Sequence, residues 1–424
     1  MLKRLGIALI VIASILTGCS PGEDGYTPES TPAPETVLSL MLPQTHYKDF
    51  FRELLEQFES ENSGIRVEPL IIPDNQWIDV VKTKIAINET PDLVRIDKGL
   101  LEDVGVENFV EFDSSESWYN RVRPEQLENK MIDGHLYGLP VSSSTSLGVV
   151  YNRRIFDSLN LTIPSSYEEF VELCKTLKES GITPLYASDK DSWTTQIGFG
   201  SVSVQVTDPK TWEKIKSNQL KWSQVEMFSN ILNDLAALRW DGYTNENYME
   251  ATYTSAIAEI AHENAAMYIA GQFFISDVKA QNPDIDLMMF PFPYGNDVLT
   301  VIDGPGQFSL FKSSPSQEEA RVFLNWFSQP KHMDIFTSGW GHMPVFKDQQ
   351  QPVTEYEQQL LDQYITPGKT VLELDDIMTG VDLNDFWSYQ QEMIAGALSA
   401  QQVLEKWDQS FSMQMEVKQS PGWK

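Results

Sequence analysis

Cysteine and histidine are nearly missing: two Cys and five His occur in 424 residues. That excludes a disulfide framework and leaves little for a metal cluster, so neither a metal nor a cofactor is expected. Cys174 repeats at helical spacing with Tyr167, Phe170, Val171 and Leu177, which reads as a buried thiol. Basic residues are also scarce. Against 61 Asp and Glu stand 31 Lys and Arg, a formal charge of −30. Nucleic acid and anionic membrane surfaces need basic patches and are excluded as partners. A neutral or cationic ligand suits the chain better. The apolar run Leu5 to Leu16 is 12 residues long. A spanning helix needs roughly 20. Catalytic signatures are lacking too. His262-Glu263 has no second His for a zincin motif, and neither a P-loop nor G-x-S-x-G occurs. Gly198-Phe199-Gly200 starts like a dinucleotide fingerprint but has Ser203 where the third glycine belongs. Carboxylates are plentiful, so a paired-carboxylate glycosidase stays open as the enzyme alternative, with no pair nominated by the sequence.

What is present begins with a targeting segment. Lys3 and Arg4 precede the apolar run, and Leu16-Thr17-Gly18-Cys19 closes it. This reads as a lipoprotein signal peptide over 1–18, with Cys19 taking a diacylglycerol as the mature N-terminus. The alternative is an ordinary signal peptide with a chance Cys. Residues 19–36 follow, rich in Pro and Gly, acidic and without Lys or Arg, as a disordered tether. Its 17 residues after Cys19 reach at most about 56 Å.

Order is predicted from Val37, with strands at 37–42, 65–70 and 91–96. Phe51, Leu54, Leu55 and Phe58 mark one intervening helix, and Trp77, Val80, Val81 and Ile85 the other, with Trp77 read as core. Strand and helix alternate with short links, which predicts a parallel sheet with right-handed crossovers. Ligands then meet the carboxyl ends of the strands. Those ends carry Gln44, Thr45 and His46, then Asp97 and Lys98. Farther along, Ala265 to Ile269 reads as a buried strand. Gly271 permits close backbone approach, and a helix start delivers Phe273 and Phe274. Trp193 follows Asp191-Ser192 in a predicted loop, and Trp340 and His342 lie on a predicted turn over 338–345. A helix is expected over 256–262. Capping boxes are expected at Ser165/Glu168, Ser316/Glu319 and Ser399/Gln402, and Pro330 is expected to mark a helix end.

Several stretches together resemble one family. They are Asp133-Gly134-His135-Leu136-Tyr137-Gly138-Leu139-Pro140, Tyr167-Glu168-Glu169-Phe170 with Gly181-Ile182-Thr183-Pro184, Met267-Tyr268-Ile269, Phe290-Pro291-Phe292-Pro293, Pro344-Val345 and Asp385-Phe386-Trp387. In this order, across residues 37–415, the chain resembles the extracellular solute-binding proteins that feed sugar ABC importers, the family of maltose-binding protein. The resemblance implies an α/β, type II periplasmic-binding-protein fold with two discontinuous lobes, each a mainly parallel sheet flanked by helices. Lobe 1 would take 37–142 and 304–345, and lobe 2 would take 146–300 and 350–424. About three crossings, near 142–146, 300–306 and 345–350, would be hinges. Phe273 stands at the family's sugar-stacking Trp position, so the ring is kept and the indole N–H lost. The resemblance also implies Trp193 and Trp387 as platforms and Trp340 at the cleft edge. Asp97, Ser143, Ser144, His46 and Gln44 would supply polar contacts. It further implies a carbohydrate ligand, delivery to permease subunits with a separate ATPase, a monomer, and an anchor at Cys19 on the outer membrane face, as on a Gram-positive surface. A cell-surface glycoside-acting enzyme, or a receptor or adhesin on the same fold, is the alternative.

Overall fold

Two sheets, each with its own apolar cores, organise the chain. The structure is a computed structural model and describes residues 36–302, 306–418, 420, 422 and 423. The signal peptide, Cys19 and the tether up to residue 35 lie outside the described residues, as do 303–305 of the second crossing.

The first sheet has the order β2-β1-β3-β10-β4. Its strands are β1 (Thr36–Pro43), β2 (Ile65–Ile72), β3 (Leu93–Ile96), β4 (Leu139–Pro140) and β10 (Gln307–Leu310). Strand alternation explains why β1 is central. Leu38, Leu40 and Leu42 point into one core with Phe51, Leu54, Leu55 and Phe58 of the helix Asp49–Glu61. Met41 points to the other face, among Trp77, Val81 and Leu101.

The second sheet has the order β11-β9-β5-β7-β6, with β8 also paired to β5. Its strands are β5 (Thr145–Asn152), β6 (Thr183–Tyr186), β7 (Ala265–Gly271), β8 (Leu287–Phe290), β9 (Leu299–Ile302) and β11 (Thr370–Leu372). All eight residues of β5 are buried, as expected for a strand paired on both edges and covered on both faces.

One strand in each sheet runs against the rest. β10 is antiparallel to β3 and β4, and β5 is antiparallel to β7, β8 and β9. Each is the strand the chain enters on arriving from the other sheet. A chain leaving one sheet at the carboxyl end of a strand enters the next from the same side, so its direction reverses. A third crossing follows the helix Pro330–Trp340, whose Met333, Phe336 and Trp340 belong to the first lobe's core. The next helix, Glu355–Leu360, places Tyr356 and Leu360 in the second core.

Several local expectations need correction. The cap of the helix Tyr167–Glu179 is Ser166, which accepts from Glu169 N at 3.2 Å. Ser165 instead donates its N–H and hydroxyl to the Glu169 carboxylate, both at 2.8 Å. The pair thus forms one residue later than the spacing predicts. Ser316 precedes the helix Gln317–Phe327 without a side-chain cap bond, while the Ser399/Gln402 box forms as read. The helix expected over 256–262 is Tyr253–Ala261, capped by Thr252. Pro330 lies just beyond the end of the helix Gln317–Phe327, as read, and also opens the next helix, taking the first turn where no N–H is needed. Cys174 is a buried free thiol, pushed up to about 12 by burial.

Candidate functional site between the lobes

The parallel strands of the first sheet end in a short helical turn Gln44–His46, in Asp74 beyond β2, and in Asp97 beyond β3. Opposite them stand residues of the second lobe. Asp191 adds its charge to the burial that raises the Asp74 carboxyl, against the bonds Asp74 accepts from Thr45. Asp97 likewise faces Asp375, and a Cβ on Gly99 would lie 3.7 Å from Thr379. These neighbours, distant in sequence, define a cleft.

The second lobe's wall is aromatic. Phe273 starts the helix Phe273–Gln281 directly after β7. A Cβ on Gly271 would lie 2.2 Å from Phe273 Cε1, so the ring folds back over the glycine into space that no other residue leaves open. Phe273 is half-buried and packs against the cores of both lobes. Trp193 is not in a loop. It is the second residue of the helix Ser192–Val206, held 5.0 Å from the ring of Tyr253. Tyr253 also lies 6.3 Å from Phe273 and so joins the two platforms. Its hydroxyl donates to Asp277 Oδ2 at 2.7 Å, and burial with that carboxylate holds the phenol protonated. The other Asp277 oxygen pairs with Lys48 of the first lobe.

The first lobe's wall centres on Trp340. This residue was expected on a turn at the cleft edge. It is the last residue of the helix Pro330–Trp340, only 6% exposed, and Gly341 closes the helix at φ 64°. The His46 ring meets it edge-on at 5.2 Å and the His342 ring stacks at 5.8 Å. Lys48 Nζ lies 4.0 Å and Arg95 Cζ 4.8 Å from the indole centroid, within cation–π range. Burial, then Arg95 and Lys48, hold both imidazoles well below their usual range. Burial lowers the Arg95 guanidinium to about 9 against the pull of Asp97.

Crossings border this wall. Ser142 Oγ donates to Gly306 O at 3.1 Å, and Thr145 Oγ1 lies 3.2 Å from His342 Nε2. Gln272, fully buried, clamps two crossings. Its N–H donates to Ser146 O at 2.9 Å, its Oε1 accepts from Ser146 N at 3.1 Å, and its Nε2 donates to Gly341 O.

The remaining sequence candidates are scattered. Asp97 spends Oδ1 on capping Leu100 N at 2.8 Å. Ser143 is buried, with its hydroxyl 3.5 Å from Ser144 O, and Ser144 is half-buried beside it. Gln44 is exposed. Trp387 packs half-buried on the second lobe's core, as Phe273 does, on the helix whose Gln391 donates to Asp189 O. Sequence reasoning missed Tyr253, Gln272, Lys48 and Asp277. It also missed Glu373 and Asp375, next to Asp376 and Asp382 on the second lobe. Burial and neighbouring carboxylates raise Glu373 well above the usual range and Asp375 to about 7. Asp375 is solvent-exposed yet has protein close around it, as a cleft residue would. Among the described residues no group of three or more His, Cys, Asp or Glu could hold a metal. A cavity of about 40 Å³ in the second lobe, lined by Asp189, Arg239 and Tyr268, is too small for a sugar ring.

The family described as bacterial extracellular solute-binding protein matches residues 44–334, more than half of the chain. The chain belongs to this family. Among curated relatives, the multiple sugar-binding protein of Streptococcus mutans is 23% identical over 345 residues, 79% of this chain and 80% of the relative. The melibiose/raffinose/stachyose-binding protein MelE of Bacillus subtilis is 25% identical over 335 residues, 76% of each chain. Among solved structures, a sugar transporter of Bacillus licheniformis in complex with stachyose superposes with a TM-score of 0.78 at 20% identity. That match covers 89% of this chain and all of the other. The two-lobed α/β architecture of this solute-binding protein is therefore shared with such structures.

Proposed function

We propose that this solute-binding protein captures a mono- or oligosaccharide between its lobes and delivers it to an ABC importer. The observation that carries the reading is the aromatic wall Trp193–Tyr253–Phe273. It faces the first lobe and is tied to it by Lys48–Asp277, with Phe273 packed on both cores. Sugar faces stack on such rings while side-chain carboxylates and amides take the hydroxyls. Relatives named for sugars support this reading. The lobes, 37–142 with 304–345 and 146–300 with 350–424, close about hinges near 142–146, 300–306 and 345–350. Closure is favoured by sugar because contacts from both lobes exist only in the closed form. The closed monomer docks on a permease driven by a separate ATPase, held at the outer membrane face by a lipid on Cys19.

Thermal unfolding of residues 20–424 against a saccharide panel tests this. A ligand at 100 times its Kd adds about 2.7 kcal/mol to native stability. A melting shift with one sugar class and no consumption of that sugar is expected. No shift with any saccharide removes the sugar reading. One observation favours a second reading. Asp375 of the second lobe lies close enough to Asp97 of the first for their charges to interact, a pair of carboxylates from facing lobes of the kind a glycosidase uses. Loss of the binding sugar over time would put that reading first.

A further inference from the structure

The knot around Trp340 has a composition that a neutral sugar does not explain. Lys48, Arg95 and the Trp340 indole offer only hydrogen-bond donors. Trp340 Nε1, His46 Nδ1 and His342 Nδ1 are all buried without a hydrogen-bond partner. Thr145 Oγ1 occupies the far nitrogen of His342, at 3.2 Å. Arg95 and Lys48 both depress both imidazoles, with Asp277 and Asp97 as the nearby carboxylates. This concentration of donors stands out in a chain of charge −30. A sugar hydroxyl must donate as well as accept, and only the neutral imidazoles could take its proton here, since Lys48, Arg95 and Trp340 cannot. A carboxylate only accepts, and two or three donors converging on it give short, charge-assisted bonds. His46, on the turn after β1, and Lys48 are half-buried and mark the side facing the cleft.

We propose that the Lys48–Arg95–Trp340–His342 knot is a carboxylate subsite and that the solute is an oligosaccharide with a uronic acid at its hinge-side end. The proposal rests on the sugar-binding reading above. The rest of the cleft limits the ligand further. Asp74 faces Asp191, and Asp375 stands with Asp97, Asp376 and Asp382. A polyuronate would lay its further carboxylates against these groups. The ligand therefore carries one carboxylate and is neutral along the remainder.

The test is calorimetric titration of the wild-type protein with matched disaccharide pairs of several linkages. Each pair is an aldobiuronic acid and the neutral disaccharide that differs only at C6, with trigalacturonic acid as a further ligand. The aldobiuronic acid of one pair should bind ~10-fold or more tightly than its neutral partner, the worth of one to two charge-assisted bonds. Trigalacturonic acid should bind more weakly than that aldobiuronic acid. Trp340→Phe keeps a ring but deletes the Nε1 donor, and Lys48→Met removes a cation. Each should shrink the acid-to-neutral ratio, and unliganded melting of each variant checks folding. Equal or tighter binding of the neutral partner overturns the carboxylate subsite and leaves sugar capture standing. Tighter binding of trigalacturonic acid overturns the single-carboxylate ligand. Silence across every pair overturns both readings together.

Discussion

Gly271 illustrates how much one side chain, or its absence, decides in this cleft. Alanine there would bring a methyl group within 2.2 Å of Phe273 Cε1. The ring must swing away, and it is the ring that touches both cores. Gly271→Ala should cost about 1–3 kcal/mol of stability, the usual range for overpacking. It should weaken sugar binding by more than this loss alone brings. Chemical denaturation and titration of the same variant separate the two effects. Asp375 carries the second residue-scale prediction. Its carboxyl rises from 3.8 to about 7 on folding, and Glu373 rises with it. Between those values the folded state binds more protons than the unfolded state, so stability falls as pH rises from about 4 to 7. Melting should drop across that window, and Asp375→Asn should flatten the slope. An unchanged slope would show that the group titrates normally. At this scale the position of Phe273, at a helix start after a strand and a glycine, was readable from sequence. Tyr253, Lys48 and Asp277 were not. Among 61 acidic residues nothing local sets Asp277 apart, and only tertiary packing gives it both a tyrosine and a lysine.

At the scale of elements, the helix Pro330–Trp340 shows where sequence reading fails. Gly339 and Gly341 flank Trp340, and two glycines around a tryptophan read as a turn. Only Gly341 takes a left-handed φ. Gly339 stays helical, and its missing Cβ makes room for Phe50, whose Cδ1 lies 2.6 Å from the ideal Cβ position. A glycine required for close approach looks the same in sequence as one required for a turn. Strand direction was equally hidden. A strand buried throughout, as β5 is, has the same pattern whichever way it runs. Gln272, between β7 and the helix Phe273–Gln281, gives the element-scale prediction. Gln272→Leu leaves the Ser146 N–H and the Gly341 carbonyl without their side-chain partner, both at crossings. Leaving buried polar groups unpaired costs about 1–3 kcal/mol each. Chemical denaturation should show a loss of roughly 2–5 kcal/mol, and hydrogen exchange should rise first at Ser146. A loss below about 1 kcal/mol would mean that other groups or water replace the clamp.

For the whole molecule, the question is what holds the lobes at their separation. Two ion pairs cross between them among the described residues. Lys418, capping the last long helix, meets Asp103, which Lys82 also holds at 2.6 Å, and Lys48 meets Asp277. They differ in setting. Lys418 is the more open partner, with its side chain 33% exposed, and such surface pairs are worth little. Lys48 and Asp277 are 19% and 13% exposed, and Asp277 also accepts from Tyr253, next to Trp193. This second pair joins the relative position of the lobes to the aromatic wall. Removing one partner should leave the other charge partly buried and alone, which destabilises more than removing both. Asp277→Asn should therefore lower affinity for a neutral sugar ~10-fold or more and widen the unliganded protein in small-angle scattering. The double variant Lys48→Met, Asp277→Asn should recover part of that affinity, a coupling of about 0.5–3 kcal/mol in a double-mutant cycle. If the two single effects simply add, the pair is a bystander. The lobes would then be positioned by Gln272 and the crossings it clamps, and the aromatic wall would close on the solute without help from the first lobe's lysine.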